Sequence, residues 1–241
     1  MKNTLFIILA LLFGSSSLLA SVEVERAHVI IAHIKSEFEA ELLEKRIDLR
    51  FNLNSTSKLP SAFAKWITPL EVAQISFSPS FFKLKKLDEL SLGLITCHEL
   101  GHFLGGKPYV SAPKPVGIFS IKNSYPNMSA EGQADFFATA SCFKRIKKFL
   151  NSDSSSNITG IQNTLDTYRE ILKSANINQP HVAATDIAFE TTISTIKNPG
   201  QYPSLTCRAQ TLRQGLSCQE FLSSGSCTNT EELRPACWFI P

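Results

Sequence analysis

The segment His98-Glu99-Leu100-Gly101-His102 holds two imidazoles and a carboxylate within five residues. On a helix, residues four apart lie on one face, so His98 and His102 can aim at a single metal ion. Glu99 lies one step round the helix, where it can take a proton from water as a general base. Zinc at such a site lowers the pKa of its bound water, so the chemistry implied is hydrolysis by metal-activated water. A catalytic zinc uses three protein ligands and leaves one position open. No further His follows at short spacing, because position 108 is Pro, so the third ligand comes from elsewhere. The segment Ser129-Ala130-Glu131-Gly132-Gln133-Ala134-Asp135 places two carboxylates four residues apart. The following residues, Phe136 to Cys142, are apolar enough for a buried helix, where ionised groups are costly unless paired or on a metal. Glu131 is therefore the candidate third ligand. Asp135 is a candidate acceptor for the outer N–H of a zinc-bound His, which would fix the ring's tautomer.

Elements must hold these groups together. Leu92, Leu94, Ile95, Leu100, Phe103 and Leu104 supply a buried helix around the first motif. Asp88 is its expected N-cap, and Gly105-Gly106 with Pro108 its stop, a helix of about 18 residues. Ser129 is the expected N-cap of the second helix. Upstream, Val22 to Glu44 carries helical periodicity, and His28 and His33 sit off one face there as ordinary helix residues. Arg46 to Leu53 alternates as a half-buried strand; Asn54 to Pro60 is a turn; Ser61 to Trp66 and Glu71 to Phe77 are two more strands. Lys107 to Met128 holds four Pro and reads as a long loop. Asn151 to Thr159 is polar and reads as a surface loop, Ile161 to Lys173 as a helix, Asn176 to Thr185 as irregular, and Leu212 to Leu222 as a short last helix. The expected fold is α+β: one helix-rich domain with a small antiparallel sheet and an active-site helix.

The two motifs in this order resemble the gluzincin arrangement, HExxH followed by ExxxD. The closer likeness is to the heat-shock and CAAX-prenyl type zinc peptidases, in soluble bacterial exported versions. Those read CHELGHHLGG, then EGQADYFAT and a Cys, then a Cys-rich segment with HP-x-x-x-x-R. The corresponding text here is Cys97 to Gly106, Glu131 to Cys142, and Tyr202-Pro203-Ser204-Leu205-Thr206-Cys207-Arg208, ending in Arg234 to Phe239. The likeness covers most of the chain, weakly before residue 60. It implies a zincin-like fold, one zinc ion on His98, His102 and Glu131, Glu99 as general base, Asp135 as an orienting residue, and Arg208 as a residue that orients its segment or pairs with a carboxylate. In zincins a sheet lies above the active-site helix, and its edge strand pairs with an extended substrate. The third motif departs from the pattern. Tyr202 stands where the family has a His that helps stabilise the tetrahedral oxyanion, and a phenol can also donate to an oxyanion. His181 is a spare candidate for that role.

The N-terminal residues 1–20 read as a secretory signal, with Lys2 as the charged region, an apolar run from Thr4 to Phe13 and Ala20 before the cleavage point. An uncleaved anchor is the minor alternative, and no other stretch is long and apolar enough to span a membrane. Residues 21–241 then form one peptidase domain with a Cys-rich segment from about 200 to the end. The expected location is periplasmic or secreted. The net charge of +3 is near balance and gives no argument for nucleic acid. Lys144 to Lys148 is a basic run at the end of the Glu131 helix, where cations suit the helix C-terminus. Six Cys in an exported protein imply disulfides, with fifteen possible pairings. If both ligand helices flank the zinc, a Cys97–Cys142 bridge would lock them, leaving Cys207, Cys218, Cys227 and Cys237 for two more. Cys-ligated zinc is disfavoured because the spacings do not form paired Cys motifs. The partner implied is a peptide or protein substrate, and the oligomeric state is not readable. The alternatives are a catalytically weak or inactive zinc-stabilised binding protein of the cell envelope, with Tyr202 as the sign of decay, and a disulfide-stapled surface protein without metal.

Overall fold

A computed structural model of the chain describes residues 22–67, 72–106, 128–184 and 203–221. The chain order is α1 (Val24–Glu37), α2 (Glu39–Glu44), β1 (Asp48–Asn52), β2 (Ala62–Ile67), β3 (Val72–Phe77), α3 (Glu89–Leu104), α4 (Glu131–Phe137), α5 (Phe143–Ile146), α6 (Ser154–Ser174) and α7 (Leu205–Phe221). This is a helix-rich α+β architecture with one small sheet. Helix α3 is its axis. Every residue from Ser91 to Phe103 is buried, so the helix is enclosed on all sides, its few polar residues included. Helices α1, α4 and α6 and strands β2 and β3 all pack on it. Asp88 caps α3 as expected: its carboxylate accepts from the Ser91 N–H at 2.7 Å, and the Ser91 hydroxyl oxygen accepts from the Asp88 N–H at 2.8 Å. The other Asp88 oxygen accepts from the Asn163 amide at 2.6 Å, tying α6 to the start of α3.

The sheet has the order β1-β3-β2. Strands β2 and β3 pair antiparallel, whereas β1 joins β3 in parallel, so the sheet is mixed rather than wholly antiparallel. The reason lies in the connections. Residues 53–61 carry the chain past the position that β3 will fill, and β3 then runs back antiparallel to β2. Inserting β3 between β1 and β2 leaves its two neighbours running in opposite directions. Among the described residues strand β2 lies at an edge of the sheet, and Trp66 on it packs edge-on against Phe103 of α3 with centroids 5.1 Å apart.

Three other elements differ from expectation. The first helix breaks at Phe38, which is 1 % exposed and anchors in the core instead of continuing the helix. Helix α6 begins at Ser154, within the stretch read as a polar loop, because Asp153 caps it by accepting from the Ser156 N–H at 2.7 Å. Helix α7 starts at Leu205, seven residues earlier than its apolar pattern indicated. Between α4 and α5 the helix widens into a π turn over Ala138–Cys142. Within the basic run, Arg145 donates to the Glu37 carbonyl at 2.7 Å and stacks over Phe38 at 4.2 Å, so it closes the α5–α1 seam as well as facing solvent.

Candidate metal centre

Helices α3 and α4 approach closely enough for their ligand-type side chains to meet because Gly101 has no side chain. A Cβ there would lie 2.9 Å from the Cα and carbonyl oxygen of Ala134. A disulfide between Cys97 and Cys142, Cα atoms 5.6 Å apart, joins α3 to the π turn one residue before His98. Cys207 and Cys218 are also disulfide-bonded; Cys227 and Cys237 lie outside the described residues. Helix α7 reaches the same place through Gly215, which sits against Phe136 and Thr139. It delivers Arg208.

The side chains converge as follows. His98, Glu99, His102, Asp135 and Arg208 are buried, and the Glu131 side chain keeps 20 % exposure toward the cleft. The ligand atoms of His98, Glu99 and His102 lie within 4.8 Å of one another. Asp135 Oδ1 is 2.7 Å from His98 Nδ1 and holds that N–H. The Ser129 carbonyl oxygen is 2.8 Å from His102 Nδ1 and does the same for the second ring. Both imidazoles therefore turn Nε2 inward. There His98 Nε2 is 3.2 Å from Glu131 Oε2, and His102 Nε2 is 3.7 Å from Glu131 Oε1. Arg208 grips Asp135 with two bonds, Nε to Oδ2 at 2.9 Å and Nη2 to Oδ1 at 2.8 Å. Arg208 Nη2 also lies 3.2 Å from His98 Nδ1, but a nitrogen already donating to Asp135 has no lone pair to offer, so this contact is packing. Ser129 was expected to cap α4. Instead Ala130 holds the N-cap position, and the Ser129 hydroxyl donates to the Gly106 carbonyl at 2.7 Å.

These contacts test whether a cation fits. Glu131 Oε2 is buried with no hydrogen-bond partner among the described residues, although an imidazole nitrogen faces it at 3.2 Å. Two lone pairs at that distance are favourable only with positive charge nearby. Arg208 Nη2, 3.4 Å from His98 Nε2 and 3.9 Å from Glu131 Oε2, supplies part of it, and without metal a proton on the imidazole supplies the rest. Burial works against charge on His98, yet Asp135, helped by Glu131, overcomes both burial and Arg208 and raises the ring to about 9. Burial likewise works against the Glu131 carboxylate, but His98, His102 and Arg208 hold it down at about 2. Two inward imidazole nitrogens and a carboxylate oxygen are a donor set suited to a divalent ion such as zinc, which would replace that proton. Glu99 stands beside the set, its carboxyl raised above the ordinary range chiefly by burial.

The site forms the floor of a cleft of about 510 Å³, walled by Ala62, Phe63 and Ala64 of β2, Met128, and Ile171 and Leu172 of α6. The structure thus brings together His98, Glu99, His102, Glu131, Asp135 and Arg208. Tyr202 lies outside the described residues. His181 is 54 % exposed at its side chain, 3.5 Å from Asp166, and lines a separate surface groove. Two contributors were not found in the sequence: the Ser129 carbonyl, and Tyr168 of α6, which lines the cleft. Tyr168 shares a helical stripe with Ile161, Leu165 and Leu172 and reads there as core. Its hydroxyl was the available signal, since a phenol on an apolar stripe needs a partner. The chain matches no family model, no curated protein and no solved structure. Among the described residues, no helix is long and apolar enough to cross a membrane.

Proposed function

We propose that the protein is an exported zinc-dependent peptidase resembling the soluble relatives of the heat-shock and CAAX-prenyl type zinc peptidases. One observation carries the reading: two imidazoles with fixed tautomers turn Nε2 toward the Glu131 carboxylate, with a second carboxylate beside them at the floor of an open cleft. His98, His102 and Glu131 would hold the ion. When bound, zinc would polarise the scissile carbonyl and acidify a water. Glu99 takes the proton of the attacking water and returns it to the amine nitrogen as the C–N bond breaks. Asp135 and the Ser129 carbonyl hold the imidazoles in the ligating tautomer, and Arg208 holds Asp135. The β2 edge beside the cleft offers main-chain groups to an extended peptide. A purely structural metal site has no use for Glu99, which favours the enzyme over an inactive binding protein.

The test is metal content together with casein hydrolysis in wild type, Glu99→Gln and Glu131→Gln. Glu99→Gln is expected to keep about one zinc per chain and lose roughly 10²- to 10⁴-fold in rate, the usual range for a general base. Glu131→Gln is expected to lose both metal and activity. A metal-free wild-type protein would end this reading.

A further inference from the structure

Helix α6 serves two concavities. Tyr168, Ile171 and Leu172 line the cleft, whereas Asp166, Arg169, Glu170 and Lys173 line a separate surface groove of about 350 Å³. Lys86, from the segment before α3, and His181, beyond the end of α6, complete that groove. Every described residue lining it is ionisable. Small-molecule sites are mostly apolar, so a concavity walled by charge suits a charged ligand. The two acids are already engaged. Asp166 Oδ1 lies 3.5 Å from His181 Nε2, and the Asp166 side chain is only 16 % exposed. Glu170 Oε2 accepts from the Lys85 N–H at 3.2 Å. The cations are not engaged. Helical spacing puts Asp166 beside Arg169 and Glu170 beside Lys173, i, i+3 neighbours of opposite sign that ordinarily pair. Among the described residues neither pair closes, and Lys86, Arg169 and Lys173 have no ion-pair partner. Arg169 and Lys173 are also like charges four apart on one helix face, which costs a helix stability. The basic run at Lys144 to Lys148 differs, since Arg145 there is taken by Glu41 and the Glu37 carbonyl.

We propose that this groove binds a phosphomonoester, free in solution or as the headgroup of an anionic lipid. Three positive side chains from two separate segments surround one concavity without neutralising partners. Arg169 offers a planar fork that fits two oxygens of one phosphate, and Lys86 and Lys173 add compact ammonium charges. A phosphomonoester brings up to two negative charges and three acceptor oxygens, more than a carboxylate can offer. Asp166 and Glu170 oppose an anion, but each is held by its own neighbour and the three cations outnumber them. The groove contains none of the proposed zinc ligands, so its ligand is independent of the peptidase reading.

The probes are sn-glycerol 3-phosphate and phosphatidylcholine vesicles carrying phosphatidic acid, at low ionic strength, where exposed charges are least screened. Calorimetry reads the soluble ester and flotation reads the vesicles. The chains compared are wild type, R169E/K173E, Lys86→Gln and K144E/K148E. The last changes net charge as much as R169E/K173E, but on the other basic run. Wild type should bind the ester, the vesicles or both. Binding of the ester assigns a free ligand, and binding of the vesicles alone assigns a lipid headgroup. R169E/K173E should bind at least ~10-fold more weakly, and Lys86→Gln, which leaves α6 untouched, about fivefold more weakly. K144E/K148E should stay within about twofold of wild type, as for a site remote from the groove. A wild type that binds neither probe would overturn the proposal. So would undiminished affinity in R169E/K173E or in Lys86→Gln. An equal loss in K144E/K148E would also overturn it, because binding would then follow net charge and not the groove.

Discussion

At the residue scale, His98 and His102 owe their readiness for metal to atoms on the far side of each ring. Asp135 holds one Nδ1 and the Ser129 carbonyl the other. The i, i+4 spacings of His98 with His102 and of Glu131 with Asp135 were legible, because helical periodicity alone puts each pair on one face. The part of Asp135 as a tautomer-fixing acceptor was legible too, since a carboxylate in an apolar helix must find a partner. The Ser129 carbonyl was not, because every residue has a carbonyl and only chain path selects one. Asp135→Asn should weaken zinc binding by about 10- to 100-fold. It should also cost roughly 3 kcal/mol of stability by leaving Arg208 buried and under-paired. Competition against a chromophoric chelator reads the first, and urea denaturation of the metal-free protein the second.

At the element scale, the site depends on how closely α4 lies along α3. Gly101 permits that approach, and the Cys97–Cys142 bridge reinforces it. Gly101→Ala forces a methyl group against the Ala134 backbone. It should cost about 1–3 kcal/mol, the range for overpacking a filled interface. It should also loosen zinc binding by moving Glu131 away from the imidazoles. Unchanged zinc affinity in that variant would show that the helices meet at the site by other means. Helix α3 was readable nearly to its ends, because Asp88 and the Gly pair mark it chemically. The start of α6 was not. Ser-rich residues favour loops locally, and the Asp153 cap with burial of Ile161 and Leu165 overrides that preference.

At the scale of the whole molecule, the cleft lies where β2, α3, α4, α6 and α7 meet, so binding at its floor is coupled to the fold. Removing zinc with a chelator should therefore lower the melting point. At free zinc near a thousand times its Kd, mass action contributes about 4 kcal/mol, or roughly 8–16 °C for a domain of this size. A scan with and without chelator checks this, and equal midpoints would argue that no metal stabilises the native state. By itself the sequence determined the helix-rich α+β class, the two helices that meet at the site and the convergence of His98, Glu99, His102, Glu131 and Asp135. These follow from local spacing and from the cost of charge in apolar helices. Only the tertiary structure decided that β3 enters between β1 and β2, that Arg208 turns onto Asp135, and that the Tyr168 ring packs against Arg208 and His98. Each depends on contacts between residues far apart in the chain. Those are set by the path of the loops and by whole-core packing, to which local patterning is blind.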